Sequence, residues 1–163
     1  MTDAATPGLV EVTRRIPAPA HEIFAVLASP HRHRDFDGTG MVGTSDDPDV
    51  STVGDTFLTQ MHNDEFGDYV MRNTVVEFEG DARIAWAPTR RDDPDDDDWA
   101  HRWGYVLEPV GSDATQVALF FDCTRSPEDA WRILRGGESW RARMGGSLEL
   151  LDALFEGDGA VSS

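Results

Sequence analysis

Val10-Glu-Val-Thr-Arg-Arg-Ile-Pro-Ala-Pro-Ala-His-Glu-Ile-Phe-Ala-Val-Leu-Ala-Ser-Pro-His-Arg-His-Arg-Asp-Phe-Asp-Gly38 compresses a strand, two proline-started helices and a turn into under a fifth of the 163-residue chain. Val10, Val12, Arg14 and Ile16 alternate with Glu11, Thr13 and Arg15, the period-two pattern of a strand with one covered face. Proline at the first helical position gives up only an amide that has no intrahelical partner. Pro19 therefore opens a helix over residues 20–28, with Ile23, Phe24 and Leu27 as its apolar stripe. Ser29-Pro30 repeats the device and predicts a second short helix running to Phe36, before Asp37-Gly38 turns the chain out. Two consecutive helices exclude a simple hairpin opening.

Working outward, residues 41–123 show extended, turn-punctuated segments and no amphipathic helix of three turns. Strands are expected over 41–44, 56–63, 69–79, 82–88, 100–110 and 115–123. Short connections such as Glu79-Gly80-Asp81 and Gly111-Ser-Asp-Ala114 favour antiparallel pairing. After Cys123 the period changes. Ser126-Pro127-Glu128-Asp129 caps a short helix through Leu134, and Gly136-Gly137 interrupts it. Trp140, Met144, Leu148, Leu151 and Phe155 then mark one face of a longer helix, which needs a large apolar surface to lie on. The sheet is the surface available, so the predicted fold is α+β: a curved antiparallel sheet of six to seven strands wrapped around a long C-terminal helix, with two short helices after the first strand. Gly145-Gly146 weakens that helix, either as a surface thinned beside a cavity or as a tolerated kink.

One domain is expected over residues 10–156, with 1–9 and 157–163 as flexible flanks. The net charge of -17, with all fourteen basic residues Arg, argues against nucleic acid as a partner and against docking on an anionic membrane. No apolar run is long enough for stable membrane insertion, and no leader pattern precedes the domain, so a cytoplasmic location is expected. The proline-broken runs Asp46-Asp-Pro-Asp49 and Asp92-Asp-Pro-Asp-Asp-Asp-Asp98 are expected as solvated loops. Cys123, the single cysteine, is expected as a small buried hydrophobe. His31 and His33 are two apart, do not share a helix face and have no third ligand at useful spacing, so no metal site is expected and His31-Arg-His-Arg34 is taken as a solvated helix face. Gly38 and Gly40 belong to a turn, without the surroundings of a phosphate loop.

Several phrases carry a resemblance. Residues 16–28, the Asp37-Gly-Thr-Gly-Met41 turn, Val53-Gly-Asp-Thr-Phe57, Val75-Val-Glu-Phe-Glu79 with Arg83-Ile-Ala-Trp86, and Trp103-Gly-Tyr-Val-Leu-Glu-Pro109 leading to Thr115-Gln-Val117 together resemble the SRPBCC or START-like superfamily of polyketide cyclases, lipid-transfer domains and birch-pollen-type allergens. None of these phrases is catalytic, so they speak to architecture before activity. The resemblance implies a helix-grip fold with an apolar cavity between sheet and closing helix, used for hydrophobic or aromatic small molecules. It implies no cofactor and leaves monomer and homodimer open.

Alternation over residues 99–107 puts Trp99, His101, Trp103, Tyr105 and Leu107 on one face, the expected inner one. His101 then stands either in the cavity or hydrogen-bonded at its rim. On the strand from Tyr69, Val70, Arg72, Thr74, Val76 and Phe78 look inward in one register, making Arg72 an anchor for an anionic ligand group; the other register, favoured by Val75, puts Arg72 in solvent. The expected ligand contacts are Phe57, Thr59, Met61, Thr74, Trp86, Trp103, Leu119, Phe121, Trp140, Met144 and Leu148. Ligand binding is the leading functional expectation. The alternative is a cyclase or aromatase in which His101, Tyr105 and Arg72 serve as acid-base and oxyanion groups. A third is a protein-interaction domain using the acidic loops or an exposed helix face.

Overall fold

The computed structural model describes residues 7–65, 67–90 and 100–161, with side chains as far as Phe155 on the last helix. Strand β1 (Leu9–Ile16) is followed by helix α1 (Ala20–Leu27) and a 3-10 segment over Pro30–Phe36, in the order the two prolines dictate. Strands β2 (Thr56–Asn63), β3 (Gly67–Glu79), β4 (Arg83–Arg90), β5 (Arg102–Pro109) and β6 (Thr115–Asp122) follow. Helix α2 (Glu128–Leu134), a 3-10 turn and helix α3 (Arg141–Val161) close the chain. The sheet order is β1-β6-β5-β4-β3-β2, every neighbour antiparallel. The expected strand over 41–44 is reduced to a bridge between Val42 and Met61. This is the α+β helix-grip arrangement.

The inner face of β1 shows how the helix is held. Val10 and Ile16 are buried, and Arg14 on the same face reaches α3, where its Nε donates to Asp152 at 2.6 Å. Met144, Leu148 and Leu151 of α3 are buried, each worth roughly 2 kcal/mol of transfer free energy. The loop after the 3-10 segment also grips the helix. A Cβ on Gly38 would stand 2.2 Å from the Arg143 carbonyl and 2.7 Å from the Ser147 nitrogen, and the Gly38 N–H donates to Ser147 Oγ at 2.7 Å. Gly146 meets Gly38 across this contact, whereas Gly145 has nothing within 4 Å. The close approach therefore depends on Gly38 rather than on the Gly145-Gly146 pair, and neither glycine of the pair lines the cavity.

Two irregularities shape the sheet. A bulge between Val75 and Glu77 bends β3 and moves its inner face by one residue. Pairing of β4 with β5 ends at Trp86–Trp103, although β4 continues beside β3 to Arg90. The acidic run at 46–49 is more than a solvated loop: Asp47 Oδ2 accepts from the Leu58 N–H at 2.6 Å, and Asp49 Oδ1 accepts from Ser29 Oγ at 2.8 Å. The second run, 92–98, lies outside the described residues. Cys123 is fully buried.

Candidate functional site

Between the concave sheet and α3 lies a cavity of about 540 Å³. Two groups of rings form most of its wall. In the first, His33 stacks on Trp86 with centroids 5.0 Å apart, Phe57 meets both edge-on at 5.3 and 5.8 Å, and Tyr105 lies 6.1 Å from Trp86 and 6.3 Å from Phe36. In the second, Phe121 lies 4.6 Å from Trp103 and 5.7 Å from His101, with Trp140 of the closing turn 5.8 Å from Trp103. Met61, Tyr69, Met71, Pro88, Leu119, Leu134 and Met144 complete the apolar lining. Arg90, whose guanidinium lies 5.2 Å from the Tyr69 ring, adds a cation to the rim of the wall where β4 has left β5.

Most expected contacts are here: Phe57, Thr59, Met61, Trp86, Trp103, Leu119, Phe121, Trp140 and Met144 all line the cavity, as do His101 and Tyr105. Three residues stand elsewhere. Arg72 is exposed and Thr74 shares its face, because β3 takes the register that turns Met71, Asn73 and Val75 inward; the bulge then returns Phe78 to the core, 5.3 Å from Phe24. Leu148 is buried in the α3 core contact, away from the lining. Trp99 lies outside the described residues.

His33 is the principal wall residue that the sequence reading missed. It is buried, not part of a solvated helix face. A 3-10 helix has three residues per turn, so Pro30, His33 and Phe36 fall on one side, and all three are buried. The i, i+3, i+6 spacing around that histidine was the available signal. Its Nε2–H donates to the Leu27 carbonyl at 2.8 Å, which fixes the tautomer and leaves Nδ1 as an acceptor. Burial among rings pushes its pKa down to about 4, against the smaller opposing effect of that hydrogen bond, with His31 lowering it further. Burial pushes His101 down to about 4 as well. Burial, and then the Asp37 carboxylate, raise the Tyr105 hydroxyl. All three are neutral at pH 7.

Asp37, Thr39 and the Asn73 amide nitrogen are committed to the protein. Asp37 accepts at Oδ1 from the Thr39 N–H (2.9 Å) and hydroxyl (2.6 Å) and at Oδ2 from the Val42 N–H (2.8 Å). Asp37 is thus committed to backbone and side-chain donors of its own loop, although Asp37 and Thr39 line the cavity. Asn73 donates through Nδ2 to Thr59 Oγ1 at 3.1 Å and to the Phe57 carbonyl at 3.4 Å. Among the described residues no group of three His, Cys, Asp or Glu side chains is placed to hold a metal ion, and no helix is long and apolar enough to cross a membrane.

No family model matches the chain. It is 32% identical over 120 residues to the uncharacterized protein Rv0088 of Mycobacterium tuberculosis, a match covering 72% of this chain and 49% of that protein. The chain thus spans about half the length of the curated relatives it matches. Among solved structures it is similar to a protein from Arthrobacter aurescens (TM-score 0.70, 14% identity, 92% of this chain and 87% of that one). It is also similar to Ms6760 of Mycobacterium smegmatis (TM-score 0.68, 14% identity, 93% of each chain). DynU16, from the dynemicin biosynthetic locus, is matched at TM-score 0.58 and 17% identity over 91% of this chain and 47% of its own. At these identities the likenesses establish a shared fold.

Proposed function

We propose that the chain binds a hydrophobic or aromatic small molecule between its sheet and α3, as a member of the SRPBCC or START-like superfamily. The observation that carries this reading is the cavity: about 540 Å³, within the roughly 300–1,000 Å³ range of ligand sites, walled mainly by aromatic rings and methionines. Such a wall holds ordered water poorly and apolar surface well. Burying a two-ring ligand there removes apolar area from water at roughly 25 cal/mol per Å². Native mass spectrometry and a thermal-shift panel of aromatic polyketides, fatty acids and sterols test the reading. A bound species with a saturable rise in Tm supports it, and the absence of both across the panel overturns it.

A cyclase-type enzyme is the second reading, favoured by one observation: His101 and Tyr105 line the same cavity. DynU16, similar in fold, comes from a biosynthetic locus. Tyr105 lies in β5 and His101 immediately before it, four residues away and roughly 13 Å at strand spacing, so they serve different atoms of an extended substrate rather than one carbon. Arg72, on the outer face, has no part in it. Under this reading His101→Ala abolishes turnover of a polyketide chain while ligand binding persists; unchanged turnover refutes it.

A further inference from the structure

Two uncommitted hydrogen-bond acceptors of the cavity stand near Trp86. His33 spends its one N–H on the Leu27 carbonyl, so Nδ1 offers only a lone pair. That atom has no hydrogen-bond partner among the described residues, yet it is not among the sealed side-chain atoms, so it is reached from the cavity its residue lines. Asn73 spends its amide N–H groups on Thr59 and the Phe57 carbonyl, which leaves its Oδ1 as a second acceptor. Asn73 pairs in register with Phe57, whose ring lies 5.3 Å from His33, so both acceptors belong to the same end of the cavity. An acceptor left unpaired costs free energy when an apolar ligand covers it, and a ligand hydroxyl satisfies it.

We propose that the Trp86 end of the cavity is a subsite for a neutral hydroxyl on an aromatic ring, with the ring against Trp86 and the hydroxyl donating to Nδ1 of His33. The subsite deepens the ligand-binding reading and rests on it. Tyr105, 6.1 Å from Trp86, closes the same end and can accept or donate as the ligand requires. Above about pH 5 the histidine remains an acceptor, since burial holds its pKa at about 4.

The test compares 2-naphthol with 2-methylnaphthalene, which replaces the hydroxyl by a methyl group of similar size. An indifferent apolar cavity prefers the more hydrophobic 2-methylnaphthalene. The subsite predicts instead that 2-naphthol binds at least about tenfold tighter in competitive calorimetry at pH 7.5, and that His33→Phe, which keeps a ring beside Trp86 but removes the acceptor, brings the two within about twofold. Equal affinities for the native protein, or an unchanged ratio in His33→Phe, overturn the subsite. Nitrogen NMR of the native protein gives a readout independent of the variant's folding: the His33 Nδ1 resonance shifts with 2-naphthol and stays in place with 2-methylnaphthalene, and an unmoved resonance with 2-naphthol bound overturns the proposal. If both compounds bind equally the subsite fails while the cavity reading stands; if neither binds, both fail.

Discussion

Lowering the pH from 7.5 to 5.0 is a direct probe of the buried histidine that organises the cavity wall. His33 touches the rings of Trp86, Phe57 and Phe36 and donates to the Leu27 carbonyl, so protonation adds a charge with no counter-ion in contact. Its folded pKa of about 4 lies below the unfolded value of about 6.5, so the unfolded chain binds the proton first. The contribution is therefore fully present above pH 6.5 and is lost as pH falls toward 4. At pH 5.0 the unfolded histidine carries nearly a full proton and the folded one about a tenth, which integrates to about 2 kcal/mol lost relative to pH 7.5. The chain's net charge of -17 makes absolute pH profiles hard to assign, because carboxylates also titrate and relieve repulsion. Comparing native protein with His33→Phe cancels those shared contributions. In urea unfolding at both pH values the native protein is expected to lose about 2 kcal/mol more than the variant. His101, depressed in the same direction, is common to both. Equal pH dependence in the two proteins refutes the assignment of His33 as a buried neutral group.

Other perturbations follow from packing. Gly145→Ala meets nothing within 4 Å in a helical position and is expected to raise stability by about 1 kcal/mol in thermal unfolding. Gly104→Ala is expected to lower it by about 2 kcal/mol, because the new Cβ would stand 2.4 Å from the Phe120 ring, which lies on the outer sheet face beneath Arg83. Gly137→Ala is worse still, combining φ of 84° with a Cβ 2.4 Å from Phe121. Arg14→Met leaves the Asp152 carboxylate buried, with Oδ1 already lacking a hydrogen-bond partner, and is expected to cost about 3 kcal/mol, most of it recovered in the double variant Arg14→Met/Asp152→Leu. A double-mutant cycle in urea checks that coupling.

Sequence legibility varied with the kind of constraint. Pro17 ends β1, and Pro19 and Pro30 open α1 and the 3-10 segment, so all three elements were readable, and β2 runs over Thr56–Asn63 as the pattern required. The α3 stripe was readable because burial at spacings of three and four leaves a mark in any sequence. The β3 register was not, since Val75 and Phe78 both face inward across a bulge that alternation cannot express. That single displaced residue moved Arg72 and Thr74 out of the site and Asn73 into it. His33 was hidden by its charged neighbours: a 3.6-residue helical wheel spreads Pro30, His33 and Phe36 over an arc of about 120°, whereas the three-residue turn aligns them. The aromatic face of β5 was legible, for alternation put Trp103 and Tyr105 in the cavity wall and Leu107 in the core, with His101 just before the strand also lining the cavity.

The cavity itself carries the account, and an electron-density map of crystals soaked in 2-naphthol tests it most directly. Continuous ring-shaped density is expected between the sheet and α3, in van der Waals contact with Trp86 and with its oxygen within hydrogen-bonding distance of His33 Nδ1. A cavity closed by inward movement of Trp86, Trp103 and Met144, with no ligand density between sheet and helix, would contradict it.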